Sequence, residues 1–214
     1  FASVIIYYGK SRMALFIGMM ILVIYWVLTF TLGVPGHPYS LSGYFGNAID
    51  LNVLRISHVY KGEGVPFDPE GLTSTLPAIV QVIFGYLVGE YIQLKGKNFE
   101  MLAKLILTGV ILVFVGYIWD FSFPINKKIW TSSYVFYTSG LAIITLSLFI
   151  YLLEFNNAKG KWSQFFDVFG KNPLFIFVLS GFLPRVLALL RWVDHVDEKG
   201  APVYTSALPW FYQN

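Results

Sequence analysis

Asp68 and Glu70 stand on either side of Pro69, in a loop that opens at His58 and runs into an apolar segment at Pro77. Two carboxyl groups held this close can take different pKa values, one ionised and one protonated, which is what general acid/base chemistry needs. A plainer role is written in the same residues. Pro69 fixes a backbone angle, Asp68 can cap the following turn, and Glu70 suits a helix N-terminus. His58 could shuttle a proton, or join His37 and His195 around a metal, but the three share no i,i+4 spacing and no metal is expected. A lone interfacial histidine is the commoner case. Further on, Asn126-Lys-Lys-Ile-Trp-Thr-Ser-Ser-Tyr134 opens an apolar helix with an amide, two lysines and hydroxyls. Those groups could hold an anionic or sugar-like ligand. Equally, Asn126 turns the chain, Lys127 and Lys128 anchor at headgroups, Trp130 joins an aromatic belt, and Ser132 and Ser133 pack between helices. Arg185 is a charge within an apolar run, which points to a buried pathway or a partner, unless Pro184 breaks the helix and lets it snorkel.

The surroundings of these residues define the class. Of 214 residues, 56% are hydrophobic and 13% charged, with mean hydropathy +0.63. A soluble domain carries about 25% charged residues. The expected fold is therefore all-α: a polytopic transmembrane helical bundle in the lipid bilayer. A net charge of +3 without a basic stripe argues against nucleic acid. With no cysteine there is no disulfide, thiol nucleophile or Cys-ligated metal. Neither a Gly-rich phosphate loop nor a Ser-His-Asp order is present.

About 20 uncharged apolar residues cross the ~30 Å hydrocarbon core as a helix. Spans are expected at Met13–Leu32, Leu72–Gly89, Met101–Trp119, Ile129–Leu153 and Phe175–Trp192. Phe1–Tyr8 reads as the tail of a further span, and Ala207–Asn214 ends without closure. The expectation is about five full spans plus parts of flanking ones, in a fragment of one transmembrane domain covering 1–214. A long connection, 33–71, is rich in Gly, Pro, Asn and Ser; such lengths are usually functional or disordered. Lys10, Arg12, Lys95, Lys97, Lys159 and Lys161 fall on one side of the alternation, which the positive-inside rule makes cytoplasmic. The 33–71 loop, the Asp120–Lys128 link and the Asp194–Glu198 tail are then non-cytoplasmic.

At this point the residues carry a resemblance. Phe67-Asp-Pro-Glu-Gly-Leu-Thr-Ser-Thr-Leu-Pro-Ala-Ile79, with His58-Val-Tyr ahead of it, resembles the Asp-Pro-Glu-Gly segment of the heparan-α-glucosaminide N-acetyltransferase family and its bacterial relatives. Pro124-Ile-Asn-Lys-Lys-Ile-Trp-Thr-Ser-Ser-Tyr134 is similar to the family's Pro-x-Asn-Lys-x-x-Trp segment, and Gly170-Lys-Asn-Pro-Leu-Phe-Ile-Phe177 to a looser third marker. The markers follow the family's order over most of Met13–Trp192. The resemblance implies part of a multi-pass acyltransferase that moves acetyl from cytoplasmic acetyl-CoA to an amino sugar or glycan across the membrane. In a bacterium this would be the inner membrane, and a homodimer is compatible with it. Candidate acceptor-site residues are then Asp68, Glu70, Asn126, Lys128, Trp130, Ser133 and His58. Lys95, Lys97 and Arg185 are candidates for the CoA donor. The histidine that the family associates with transfer falls outside this chain, so no catalytic residue is assigned within it. A sugar or N-acetylglucosamine-related transporter is the alternative, since bacterial relatives often carry that label and transporters bind at broken helices.

Overall fold

The computed structural model describes residues 1–196 and 202–207, which form two compact units, 1–157 and 158–207. The Asp197 and Glu198 end of the acidic tail, and the chain from 208 onward, lie outside the described residues.

The first unit holds five helices: α1 (Ala2–Leu32), α2 (Phe45–Leu54), α3 (Thr75–Lys95), α4 (Phe99–Asp120) and α5 (Ser132–Ile150), the last running into a π-helical turn at Tyr151–Phe155. Among the described residues, α1, α3, α4 and α5 with its π turn are each long and apolar enough to cross a membrane. This is a polytopic helical membrane protein. The apolar start of the chain is the first part of α1, which is kinked at Lys10, where φ is +53°. From Ser11 to Leu32 the helix still extends ~33 Å, enough to cross.

Leu22 of α1, Val80 and Phe84 of α3, and Val135 and Phe136 of α5 form a shared buried core. The α4–α5 contact is closer still. A Cβ on Gly140 would fall 2.6 Å from the Gly109 carbonyl oxygen, and one on Gly116 would fall 2.6 Å from the Tyr137 nitrogen. Without water to drive association, close backbone approach at small residues is how membrane helices gain packing energy.

The 33–71 connection is not a structureless loop, because α2 lies within it. It and the α4–α5 link stand at one end of the bundle, where Tyr25, Tyr44, Phe45, Phe67, Phe123 and Ile129 form a second buried cluster. The Lys95–Asn98 turn stands at the other end. There Ser11 Oγ donates to Glu90 Oε2, and Tyr86 OH reaches Glu90 Oε1 at 3.4 Å.

The second unit differs most from expectation. A helix not anticipated, α6 (Lys161–Lys171), meets α7 (Pro173–Leu189) at an 89° bend. The bend falls at Asn172, since the residue before a proline avoids helical geometry and Pro173 is well suited to a first helical turn. A break at Pro184, one of the two readings of Arg185, is absent. The helix runs on through it to Leu189 and leaves Arg185 exposed, as membrane helices tolerate where neighbours relieve the freed carbonyl. An antiparallel hairpin of β1 (Arg191–Val196) and β2 (Pro202–Ser206) follows, so Trp192 lies on a strand and not at a span end.

Candidate functional site

The Asp-Pro-Glu-Gly segment is a tight turn built by its own side chain. Asp68 Oδ1 accepts the Glu70 amide at 3.0 Å, and the Gly71 amide donates to the Asp68 carbonyl at 3.1 Å. Ser74 and Thr75 hydroxyls donate to the Gly71 carbonyl at 2.9 and 3.2 Å, fastening the turn to the start of α3. Asp68 is half-buried and Glu70 exposed.

Beneath this turn lies a residue that the motifs do not include. Asp50 of α2 is 1% exposed, and its Oδ1 accepts the Leu72 amide at 2.9 Å. Its other oxygen packs against Gly71 so closely that a Cβ there would overlap it; glycine is what lets the carboxylate approach. Burial pushes the Asp50 carboxyl above the usual aspartate range, the Leu72 amide opposes the shift, and neighbouring Asp68 adds to it. One turn earlier on α2, Asn47 is also buried and its Oδ1 has no hydrogen-bond partner. Asn47 and Asp50, three residues apart, share a helix face. The only sequence signal was a lone carboxylate inside Phe45–Leu54, where its neighbours are mostly apolar.

The Asn126–Tyr134 segment makes the second half of the site. Asn126 Oδ1 accepts the Lys128 amide at 2.9 Å, while the Asn126 amide and carbonyl both pair with Thr131, at 3.0 and 3.1 Å. Trp130 sits at φ +52°, in the left-handed region that a bulky residue seldom enters. Its indole donates to Gln81 at 3.1 Å, and Gln81 donates to Thr138 at 3.3 Å, so the ring is tied to α3 and α5. Ser133 is fully buried, with its hydroxyl donating to the Phe123 carbonyl at 2.5 Å; Ser132 donates to the Leu22 carbonyl of α1 at 2.8 Å.

A single chain of hydroxyls joins the halves. Tyr25 OH donates to the Ile129 carbonyl at 2.5 Å, Tyr44 OH lies 2.7 Å from Tyr25 OH, and Thr73 Oγ1 lies 2.8 Å from Tyr44 OH. Each hydroxyl has one proton. Since Tyr25 gives its own to Ile129, Tyr44 must donate to Tyr25 and Thr73 to Tyr44. Burial raises the Tyr44 phenol above its ordinary value, so it stays a donor. At the rim, Lys128 pairs with Glu63 of the loop.

Other expected residues stand apart. His58 is exposed, with Nδ1 3.1 Å from Ser57 Oγ and 3.0 Å from the Leu54 carbonyl. Lys95 and Lys97 lie at the opposite end of the bundle, Lys97 with its ammonium 5.4 Å from the Phe155 ring centroid. Arg185 belongs to the second unit. Among the described residues no group of three His, Asp or Glu is placed to hold a metal.

Fold and site together define a polytopic helical membrane protein with a folded polar cap at one end of its bundle. No family model matches the chain. It is nevertheless a distant relative of heparan-alpha-glucosaminide N-acetyltransferase. The mouse protein is 27% identical over an alignment of 229 residues covering 86% of this chain, and the human protein 27% identical over 186 residues covering 71%. The alignments take in only 33% and 27% of those proteins, so the chain spans a third of their length or less.

Proposed function

We propose that this chain forms the acceptor-site wall of a membrane acetyltransferase that moves an acetyl group from acetyl-CoA to an amino sugar, free or at the end of a glycan. One observation carries the reading. The two segments that resemble the acetyltransferase family, far apart in sequence, meet at one end of the bundle through the Thr73–Tyr44–Tyr25–Ile129 chain and the Lys128–Glu63 pair. The distant relationship to the mouse and human acetyltransferases supports it.

In this reading the cap faces the non-cytoplasmic side of the membrane. Asp68 and Glu70 attract the acceptor's ammonium, and Lys128, Asn126 and Trp130 orient its hydroxyls and ring. His58 lies at the periphery, and Ser133 shapes the site from beneath. The amine must shed its proton before its nitrogen can form the new bond to the acetyl carbon, as the carbon–sulfur bond of the thioester breaks and the thiol leaves. Lys95 and Lys97, at the far end, suit CoA phosphates on the cytoplasmic side.

The test uses the full-length protein in proteoliposomes, supplied with acetyl-CoA and a panel of amino sugars and glucosamine-ended glycans. Mass spectrometry should show an N-acetylated product that weakens when Asp68 and Glu70 are both changed to the amides. Failure to acetylate any member of the panel overturns the reading. Uptake of labelled N-acetylglucosamine without chemical change would instead establish transport.

A further inference from the structure

Helix α6, Lys161-Trp-Ser-Gln-Phe-Phe-Asp-Val-Phe-Gly-Lys171, is unlike the helices of the first unit. At 100° per residue, Trp162, Phe165, Phe166, Val168 and Phe169 fall within roughly 160° of arc, and Ser163, Gln164, Asp167, Gly170 and Lys171 fill the other side. The apolar residues form one surface. Phe165 and Phe169 rings lie 4.5 Å apart, Phe165 and Phe166 5.4 Å, and Trp162 and Phe166 6.5 Å. No residue of α6 is buried, and Phe165, Phe166 and Val168 are 56–61% exposed.

Two geometric facts restrict what covers this stripe. Eleven residues extend ~16 Å, about half the hydrocarbon thickness, so α6 cannot cross. It also meets α7 at 89°, and α7 is the apolar helix of the pair, its Phe175, Phe177, Val178 and Phe182 all exposed. An α7 that enters along the membrane normal puts α6 in the membrane plane. Its composition suits that position: aromatic rings on one face, Asp167 and Lys171 on the other, and Lys161 at the first helical position within the aromatic arc, where its long side chain can reach back to the headgroups. From Ala158 to Asn172 there are three lysines, Lys159, Lys161 and Lys171, against one carboxylate, Asp167. Lys171 and Asp167 pair at 2.5 Å across one helical turn. The Ser163 hydroxyl accepts the Gly160 amide at 3.0 Å, which fixes where the helix starts.

We infer that α6 is an in-plane interfacial helix whose aromatic stripe sits at the headgroup–acyl boundary of an anionic leaflet, with its excess lysines meeting the lipid phosphates. Such helices bind through buried apolar area and through attraction to anionic lipid together. The Asn172–Pro173 corner turns this in-plane segment into one that enters the bilayer, so α6 sets the depth at which α7 starts.

Spin labels on single cysteines decide the matter in the full-length protein, reconstituted into phosphatidylcholine vesicles with and without phosphatidylglycerol. Phe165→Cys and Phe169→Cys should give labels several-fold more accessible to oxygen than to a water-soluble nickel complex, at one shallow depth. Ser163→Cys and Gln164→Cys, which leave the stripe intact, should show the reverse. Phosphatidylglycerol should drive the apolar labels deeper, and Lys161→Gln with Lys171→Gln should remove that difference. Depth rising steadily along α6 would make it part of a span and overturn the inference. So would labels open to water on every face, or labels shielded from both relaxants by protein. Equal depth in the two lipid mixtures overturns the anionic specificity.

Discussion

The Asp50 carboxyl group of α2 accepts the Leu72 amide at 2.9 Å, so a buried titratable group sits directly beneath the Asp-Pro-Glu-Gly turn. Because burial raises the Asp50 pKa, the folded state favours the protonated acid. The resulting stabilisation is full below the ordinary aspartate range and is lost as pH rises through the raised value. The unfolding midpoint should therefore fall as pH climbs out of the acid range, and Asp50→Asn should flatten that slope. At neutral pH the asparagine should match or exceed the wild type, since its oxygen still accepts the Leu72 amide. Asp50→Ala leaves that donor unmet and should cost about 1–3 kcal/mol. Thermal unfolding followed by tryptophan fluorescence at graded pH gives the answer; an unchanged slope in the asparagine variant refutes the assignment.

Tyr25→Phe removes the hydrogen bond to the Ile129 carbonyl and the acceptor for Tyr44. A loss of about 1–2 kcal/mol is expected. Tyr44→Phe should cost a similar amount, and the double variant less than the sum, because both belong to one directed chain. Strict additivity in such a cycle would mean that the two hydroxyls act separately.

Lys128 separates structure from binding. Its side chain is 49% exposed and that of its partner Glu63 21%, so Lys128→Met should change stability by less than about 1 kcal/mol. If the rim touches the acceptor, KM for the amino sugar should rise clearly while the melting midpoint holds. An unaltered KM would remove Lys128 from the site.

Gly140→Ala places a methyl group 2.6 Å from the Gly109 carbonyl oxygen, and neither backbone can move without separating α4 from α5. The expected cost is about 1–3 kcal/mol. Gly85→Ala, with open space around it, is the control that should change nothing. Half-lives at elevated temperature in detergent compare the two.

The four helices that are long and apolar enough to cross, among the described residues, were legible because a soluble core seldom needs so long an apolar run, and this chain is short of charge throughout. Their ends were less so. The second span starts at Thr75 and continues past Gly89 to Lys95, since the polar Glu90 and Gln93 hide its last turns. Both short helices were missed. Gly46, Asn47 and Asn52 weaken the pattern of α2, and α6 is too mixed to stand out in a search for apolar runs. The two marker segments could be read as a pair, but not how they meet. Ser132, Ser133 and Tyr25 bond to backbone carbonyls of Leu22, Phe123 and Ile129, and any residue type supplies a carbonyl. Asp50 was hidden for a related reason: only the fold shows that its partner is an amide beyond a long connection.

The glycine seam between α4 and α5 bears on how the protein is assembled during synthesis. The two helices are neighbours in sequence, joined by the short link 121–131, and they touch backbone to backbone. They can associate as soon as both have left the translocation machinery. The α1–α3 pair has the whole 33–71 connection between its members and must close a much longer loop. In nascent chains, cysteine crosslinks across the α4–α5 seam should thus mature in one step with synthesis, while α1–α3 crosslinks lag behind the emergence of α3; the opposite order would refute this. The cap needs Tyr25, Tyr44, Thr73 and Ile129 together, so the ribosome must have passed the α4–α5 link before the cap can close.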